Sequence, residues 1–372
     1  MSAPSPQPVP YVDLGAQYAE ERDELLPLVD RMLASGAYVG GAAIDELEAR
    51  LAKLCHVRHA VALASGTDAL ILAMRALGLG PGDEVITPPN SFVASTAAIV
   101  HVGATPVFAD IRDDQNIDPE RVAAAVTPRT RAIMPVHLTG RISDMDPIME
   151  IARDRNLFVI EDAAQAIAST YRDRPAGSLG HIGCFSCHPL KNLNAAGDGG
   201  FLTTDDDKIA AAVRSMRNHG LVDRNTVERF GFVSRMDTLQ AVVLGCRLNR
   251  LDDLIRRRRA HVELYRSLLD PRHVFWPPER QIEFNTYHTF VVQVDRRDEL
   301  QRHLAERGIG TAIHYPIPIH LQPAAQNLGY KRGDFPVTER QAERIIALPI
   351  HQTLKPDQIR EVAAVVNRFL TA

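Results

Sequence analysis

The sequence predicts an α/β protein, a mainly parallel sheet with crossover helices followed by a smaller α+β unit. Three observations carry this reading. Between His59 and about Asp162, short β-branched apolar runs alternate with helical patterns, as strands joined by crossover helices do. After Thr204 the alternation stops and a long basic helical stretch takes over. The chain has 372 residues, 45% of them hydrophobic and 24% charged, enough to bury a sizeable core without staples.

Taken in order, AVALA (60–64) reads as a strand and Asp68 to Leu77 as a helix. EVIT (84–87) is the next strand, Phe92 to Val102 a helix, and TPVFAD (105–110) a strand. Pro119 to Val126 is helical, with its proline where a first turn tolerates one. AIMPV (132–136), a helix over about 144–155, and LFVIED (157–162) close the series. Beyond a polar helix (about 206–217), helical character runs from about Met236 to Leu269. The second unit then holds the strand YHTFVVQV (287–294), a helix over 297–307 and closing helices near 337–347 and 356–370. The division falls at 11–245 for the large unit and 246–372 for the smaller one. The first ten residues, rich in proline, read as disordered.

Composition excludes several classes of function. With 46 acidic and 42 basic residues the formal net charge is −4, which argues against a general nucleic-acid binder. The run Arg256–Arg259 reads as the solvated face of a helix. The longest stretch without Asp, Glu, Lys or Arg, 85–109, contains Pro88, Pro89, Asn90, His101 and Pro106, so it reads as core and not as a membrane span. The N-terminus lacks a signal-peptide pattern and four cysteines are too few for a secreted scaffold, which predicts a cytoplasmic protein. Cys184 and Cys187 form one C-x-x-C with no second pair nearby; on a strand their side chains would point to opposite faces. No metal site is predicted.

Three segments can carry chemistry. In ALASGTDALILAM (62–74) a strand ends at Ser65-Gly66-Thr67 and a helix begins at once, so free N–H groups and the helix dipole favour an anion such as phosphate. Capping by Ser65 or Thr67 explains the same residues taken alone. In VIEDAAQA (159–166) a strand delivers Glu161 and Asp162 to its carboxyl end on opposite faces, so one of them can point into a given site. Lys191 lies in a segment rich in Gly, Asn and Pro between two apparent strands, where a lysine can lose solvent and become the neutral amine a Schiff base requires. Phosphate site, carboxylate and amine follow in chain order, each at a strand end, and the combination is far more specific than any part.

These segments belong to a longer pattern: VPYVDL (9–14), SGAYVGG (35–41), ASGTDAL (64–70), PPNSFVAS (88–95), EDAAQA (161–166), FSCHPLKNLNAAGDGGFLTT (185–204), RNHG (217–220), SRMDTLQAVV (234–243), GIGTAIHYPIPIH (308–320), GDFP (333–336) and ALPIH (347–351). Together they resemble the DegT/DnrJ/EryC1/StrS aminotransferases, pyridoxal-phosphate enzymes that aminate keto-sugars attached to nucleotides. The resemblance implies fold type I, L-glutamate as donor, and a homodimer with shared active sites. It implies that Lys191 forms the Schiff base and, once released, moves protons, and that Asp162 pairs with the pyridinium nitrogen. Gln165 would contact the phenolic oxygen and Phe92 would stack on the ring. Gly66, Thr67 and Ser186 would hold the phosphate, aided by Arg235, while His314, Tyr315 and His320 would line the sugar-nucleotide pocket. One position departs from the pattern: Val233 stands where the family commonly has an Asn that reaches the partner's cofactor phosphate.

The alternatives are of other kinds. A same-fold dehydratase would carry histidine in place of Lys191, and His188 does not occupy that position. A keto-cyclitol acceptor would use the same chemistry. A catalytically silent cofactor-binding sensor is supported only by Val233. A nicotinamide dehydrogenase is disfavoured because GLGPG (78–82) precedes a strand, whereas the dinucleotide fingerprint follows one.

Overall fold

The computed structural model describes residues 8–371. Two helices, α1 (Leu14–Ser35) and α2 (Ala42–Leu54), lead into the sheet-forming stretch. It runs β1 (His59–Leu63), α3 (Gly66–Ala76), β2 (Glu84–Thr87), α4 (Val93–His101), β3 (Thr105–Phe108), α5 (Pro119–Ala125), β4 (Thr130–Ile133), α6 (Met145–Arg155) and β5 (Phe158–Asp162). Two short strands, β6 (Thr170–Tyr171) and β7 (Arg174–Pro175), precede β8 (Ile182–Ser186) and β9 (Gly200–Thr204). Each expected element up to Asp162 forms, with ends moved by at most three residues, as fraying termini allow.

Seven of these strands make one sheet in the order β1-β9-β8-β5-β4-β2-β3. The β2, β3, β4, β5 and β8 pairings are parallel, and β9 runs antiparallel to both of its neighbours. The sheet is buried on both faces. Val61, Val85, Ile160 and Cys184 pack with α3 and α4 on one side, while Ala62, Ile86, Val159 and Phe185 pack with α2 and α6 on the other. Cys184 and Cys187 fall into these opposite layers, and both are unpaired and buried.

The remaining chain runs α7 (Asp207–Met216), α8 (Thr238–Leu248), α9 (Leu251–Leu268), β10 (Val274–Phe275), β11 (Glu283–Phe284), β12 (Phe290–Val294), α10 (Arg297–Ala305), α11 (Pro336–Arg344), β13 (Ile345–Leu348) and α12 (Pro356–Thr371). A second sheet, β10-β12-β13, is antiparallel and packs with α9 and α12 around Val262, Tyr265, Val292 and Val362.

Four expectations need correction. The helical stretch 236–269 is two helices, broken at Asn249 and Arg250. Residues 345–347, expected to end a helix, belong instead to β13, because Ile345 and Ile346 lie beside β12 and find a ladder partner there. The Arg256–Arg259 run is not a uniformly solvated face: Arg256 and Arg257 pair with Asp253 on the surface, but Arg258 is buried and Arg259 lies over the Phe284 ring. The expected disorder of the first ten residues fails for Val9, which is buried and bridges to Ile309; residues 1–7 lie outside the described part. Among the described residues, no helix is long and apolar enough to cross a membrane.

The two carboxylates at the end of β5 part as strand alternation requires. Glu161 is fully buried, and its Oε2 accepts from His137 Nε2 (2.9 Å) and Gly177 N (2.9 Å). Its Oε1 accepts from Leu179 N (2.8 Å) and Gly180 N (2.6 Å). Burial raises the Glu161 carboxyl, but the bonds from His137, Gly180 and Gly177 outweigh it and hold it below the ordinary carboxylate range. Because Ser143 N donates to His137 Nδ1 (3.2 Å), the ring proton sits on Nε2, facing Glu161. Replacing Glu161 by Ala leaves three buried donors and the half-buried Gly180 N without an acceptor. We expect a loss of about 3–5 kcal/mol of unfolding free energy, measured by urea denaturation.

Candidate active site

At the carboxyl ends of β1, β5 and β8 lies a cavity of about 450 Å³, where an open α/β sheet places its ligands. Ser65, Gly66 and Thr67 enter it from the β1–α3 junction, Asp162 from β5, Ser186 from β8 and Lys191 from the turn that follows. Phe92, Gln165, His314 and Tyr315 also line it. So do His188 and His288.

The β1–α3 junction is shaped for close backbone approach. Ser65 caps α3, its Oγ accepting from Asp68 N (3.1 Å). A Cβ on Gly66 would come 2.7 Å from Ser186 Cβ, and one on Gly200 would come 2.4 Å from the Ser65 carbonyl carbon. Both positions therefore need glycine. The N–H groups of Gly66 and Thr67, in the first turn of α3, have no acceptor among the described residues, and both residues line the cavity with Ser186.

Asp162 is 5% exposed. Its Oδ2 accepts from Ser95 Oγ (2.6 Å) and its Oδ1 from Ala164 N (3.2 Å). Its backbone is fixed on both sides, Asp162 N donating to Pro135 O (2.9 Å) and His137 N donating to Asp162 O (3.0 Å). Gln165 accepts at Oε1 from Thr139 N (2.7 Å), which leaves its amide NH₂ as the donor a ligand can use. Thr139 holds a left-handed φ of 64°, a strained conformation kept by this tightly bonded turn.

Burial pushes the Lys191 ammonium down to about 8, and the Asp162 carboxylate opposes that only in part. The loop carrying the lysine is anchored from behind. Arg247 donates to the carbonyls of Asn194 (2.8 Å) and Ala195 (3.2 Å) and is itself paired with the buried Glu21. Gln17 of α1 bonds Asn194 Oδ1 (3.0 Å).

Two expected site residues stand elsewhere. Arg235 lines a separate cavity of about 280 Å³ with Arg214 and Arg217, and its Nη1 donates to Asn218 Oδ1 (3.0 Å). His320 is 2% exposed, bonded through Nε2 to Glu339 Oε1 (3.0 Å) and packed edge-on against Phe335. It joins the 319–321 turn to α11. Val233 is exposed and forms an isolated bridge with Asn218. Sequence reasoning missed Ser95, although it lay within PPNSFVAS, because a serine in a helix gives no sign of a partner 67 positions away. His288 was missed as well, read only as part of a strand.

A profile of the DegT/DnrJ/EryC1/StrS aminotransferase family matches residues 19–367. The chain belongs to this family. It is 42% identical to the dTDP-3-amino-3,4,6-trideoxy-α-D-glucose transaminase of Streptomyces venezuelae, over 96% of this chain and 95% of that one. It is 40% identical to the "Pleiotropic regulatory protein" of Geobacillus stearothermophilus, over 97% and 98% of the two chains. Among solved structures, S. venezuelae DesV in complex with a ketimine intermediate superposes with a TM-score of 0.96 at 41% identity, covering 98% of this chain and 99% of that chain.

Lys191 offers a direct check. In the cofactor-free protein, reaction of its amine with an added aldehyde should be half-maximal near pH 8, against about 10.4 for a free lysine. Linkage gives a second sign: between pH 8 and the unfolded value the unfolded chain binds more protons. The Lys191 contribution to stability therefore rises with pH through this window.

Proposed function

We propose that the protein moves an amino group from L-glutamate to the keto carbon of a nucleotide-linked deoxysugar, with pyridoxal 5′-phosphate as cofactor and two copies of the chain sharing their sites. The observation that carries the reading is the convergence of Lys191, Asp162 and the Ser65-Gly66-Thr67 junction on one cavity. Family membership and the transaminase relatives support the reaction class.

The residues fit the cofactor. The N–H groups at the start of α3, with Thr67 and Ser186, would take the phosphate, and the absence of Cβ atoms at Gly66 and Gly200 keeps the backbone close enough. Asp162 would face the ring nitrogen, Gln165 would donate to the phenolic oxygen, and Phe92 would cover a ring face. When bound, the cofactor supplies an electron sink for the donor's α-carbon.

The chain's own residues do the rest. Asp162, aimed by Ser95, would keep a proton at the ring nitrogen of the bound cofactor. Lys191, desolvated and about half neutral near pH 8, would hold the cofactor through its amine and, once freed, would carry a proton to and from the reacting carbon. The wall formed by His314 and Tyr315 would receive the sugar; burial lowers the histidine's pKa and raises the tyrosine's, so both work as neutral hydrogen-bonding groups. Large and small units at 11–245 and 246–372 would meet at this wall. A shared dimeric site is supported by the exposed apolar residues Phe92 and Leu190 at the cavity, with Val39, Phe230 and Val233 beyond it.

The test is the absorbance spectrum of the protein with pyridoxal phosphate, titrated with L-glutamate. We expect a visible band that bleaches as the amino group is taken up. Lys191→Ala should form no such band and no turnover, and sustained multiple turnovers by that variant would sink the assignment. Asp162→Ala should lose about 10²–10⁴-fold in kcat, measured with saturating donor. A regulatory role, which the name of the Geobacillus relative suggests, would gain if the band forms and glutamate leaves it unchanged.

A further inference from the structure

His288 lines the same cavity as Lys191, yet it comes from the segment leading into the second sheet. That segment is held from three sides. Arg258, buried in α9, donates Nη1 to the carbonyls of Tyr287 (3.1 Å), His288 (3.2 Å) and Ile350 (2.6 Å). Asn192, the residue after Lys191, donates Nδ2 to Thr286 O (3.1 Å). Thr289 N donates to Thr139 O (3.4 Å), and Thr139 N is the group that holds Gln165. The backbone of His288 is thus referenced to the lysine on one side and to Gln165 on the other.

Its ring is treated differently. His288 Nδ1 is buried and has no hydrogen-bond partner among the described residues. An unpaired buried polar atom is costly, and this one belongs to a residue that lines the cavity. Burial, followed by the charges of Lys191, Arg258, His314 and His188, holds its pKa well below the ordinary histidine value. The imidazole is therefore neutral at physiological pH, with one N–H to give and one nitrogen to accept. A neutral imidazole of this kind can polarise a carbonyl without depositing a second positive charge beside the lysine.

We propose that His288 is the proton carrier for the carbonyl oxygen of the keto substrate, a task separate from the carbon proton handled by Lys191. The proposal rests on the aminotransferase reading and deepens it. When an amine condenses with a keto carbon, C=O becomes C=N and the oxygen leaves as water with both amine hydrogens. One hydrogen passes to oxygen as the C–N bond forms. The His288 N–H supplies the other as the C–O bond breaks, and the ring recovers a proton from the nitrogen, ending neutral as it began. Formation of the keto product from the donor runs the same exchange in reverse.

Two chemical events separate the roles. Loaded parent, His288→Gln and His288→Asn are compared in D₂O with L-glutamate, following deuterium entry at Cα, which needs Lys191, and release of 2-oxoglutarate, which needs oxygen chemistry. Two variants of different size guard against misfolding of either one. We expect the ratio of deuterium entry to 2-oxoglutarate release to rise roughly a hundredfold in both. An unchanged ratio, whether the two rates are unaltered or equally slowed, overturns the proposal. In the cofactor-free, ¹⁵N-histidine-labelled protein, the His288 signal, assigned by its loss in His288→Gln, should shift on addition of 2-oxoglutarate; an unmoved signal also overturns it. If the parent shows neither deuterium entry nor 2-oxoglutarate release, the aminotransferase reading fails first and takes this proposal with it.

Discussion

The Glu161 carboxylate, sunk in the sheet face away from the cavity, takes hydrogen bonds from His137, Gly177, Leu179 and Gly180, and so fixes where Asp162 can stand. A buried ionised group that has four donors cannot shift without abandoning one of them, at a cost comparable to a sizeable share of a domain's net stability. The same network holds His137, whose backbone N–H bonds the Asp162 carbonyl and whose next residues form the Thr139 turn that grips Gln165. A polar arrangement on one side of β5 thereby sets the position of two cavity residues on the other.

The cavity is closed by parts of the chain that are far apart in sequence. Its floor comes from β1, β5 and β8, and its wall from His288, His314 and Tyr315. Arg258 ties the wall to α9 by carbonyl contacts alone, with its charge buried and its pKa drawn down to about 10. The joining segments carry their own tensions, since Tyr287 and Thr139 both hold left-handed backbones next to cavity residues. Such strain persists where surrounding bonds over-determine the conformation.

Electrostatically the cavity is poor in fixed cations, and no arginine is among the residues that line it. Lys191 shares the space with His188, His288 and His314, and burial lowers the proton affinity of Lys191, His288 and His314. Crowding basic groups into low dielectric favours their neutral forms, so these groups are suited to accept and return protons. The guanidinium groups of Arg214, Arg217 and Arg235 gather around a different cavity, where Glu48 pairs with the first two.

Much of this was legible in order of residues. Alternation of apolar runs set the strands β1 to β5, because a strand buried on both faces must be apolar throughout; the parting of Glu161 and Asp162 followed from period-2 geometry alone. Ser65-Gly66-Thr67, Asp162 and Lys191 were each readable at a strand end, since that is where a parallel sheet presents its ligand-facing groups. Residue order did not distinguish His314, which lines the cavity, from His320, which is bonded to Glu339. Nor did it separate the buried Arg258 from the exposed Arg256 two positions away, or place Ser95 against Asp162 and His288 beside Lys191. Local pattern is fixed by each residue's neighbours in the chain, so the sequence by itself determined the elements up to Asp162 and the strand-end residues. Which side of a helix or loop meets another element depends on how separate elements pack, and only the tertiary structure decided that.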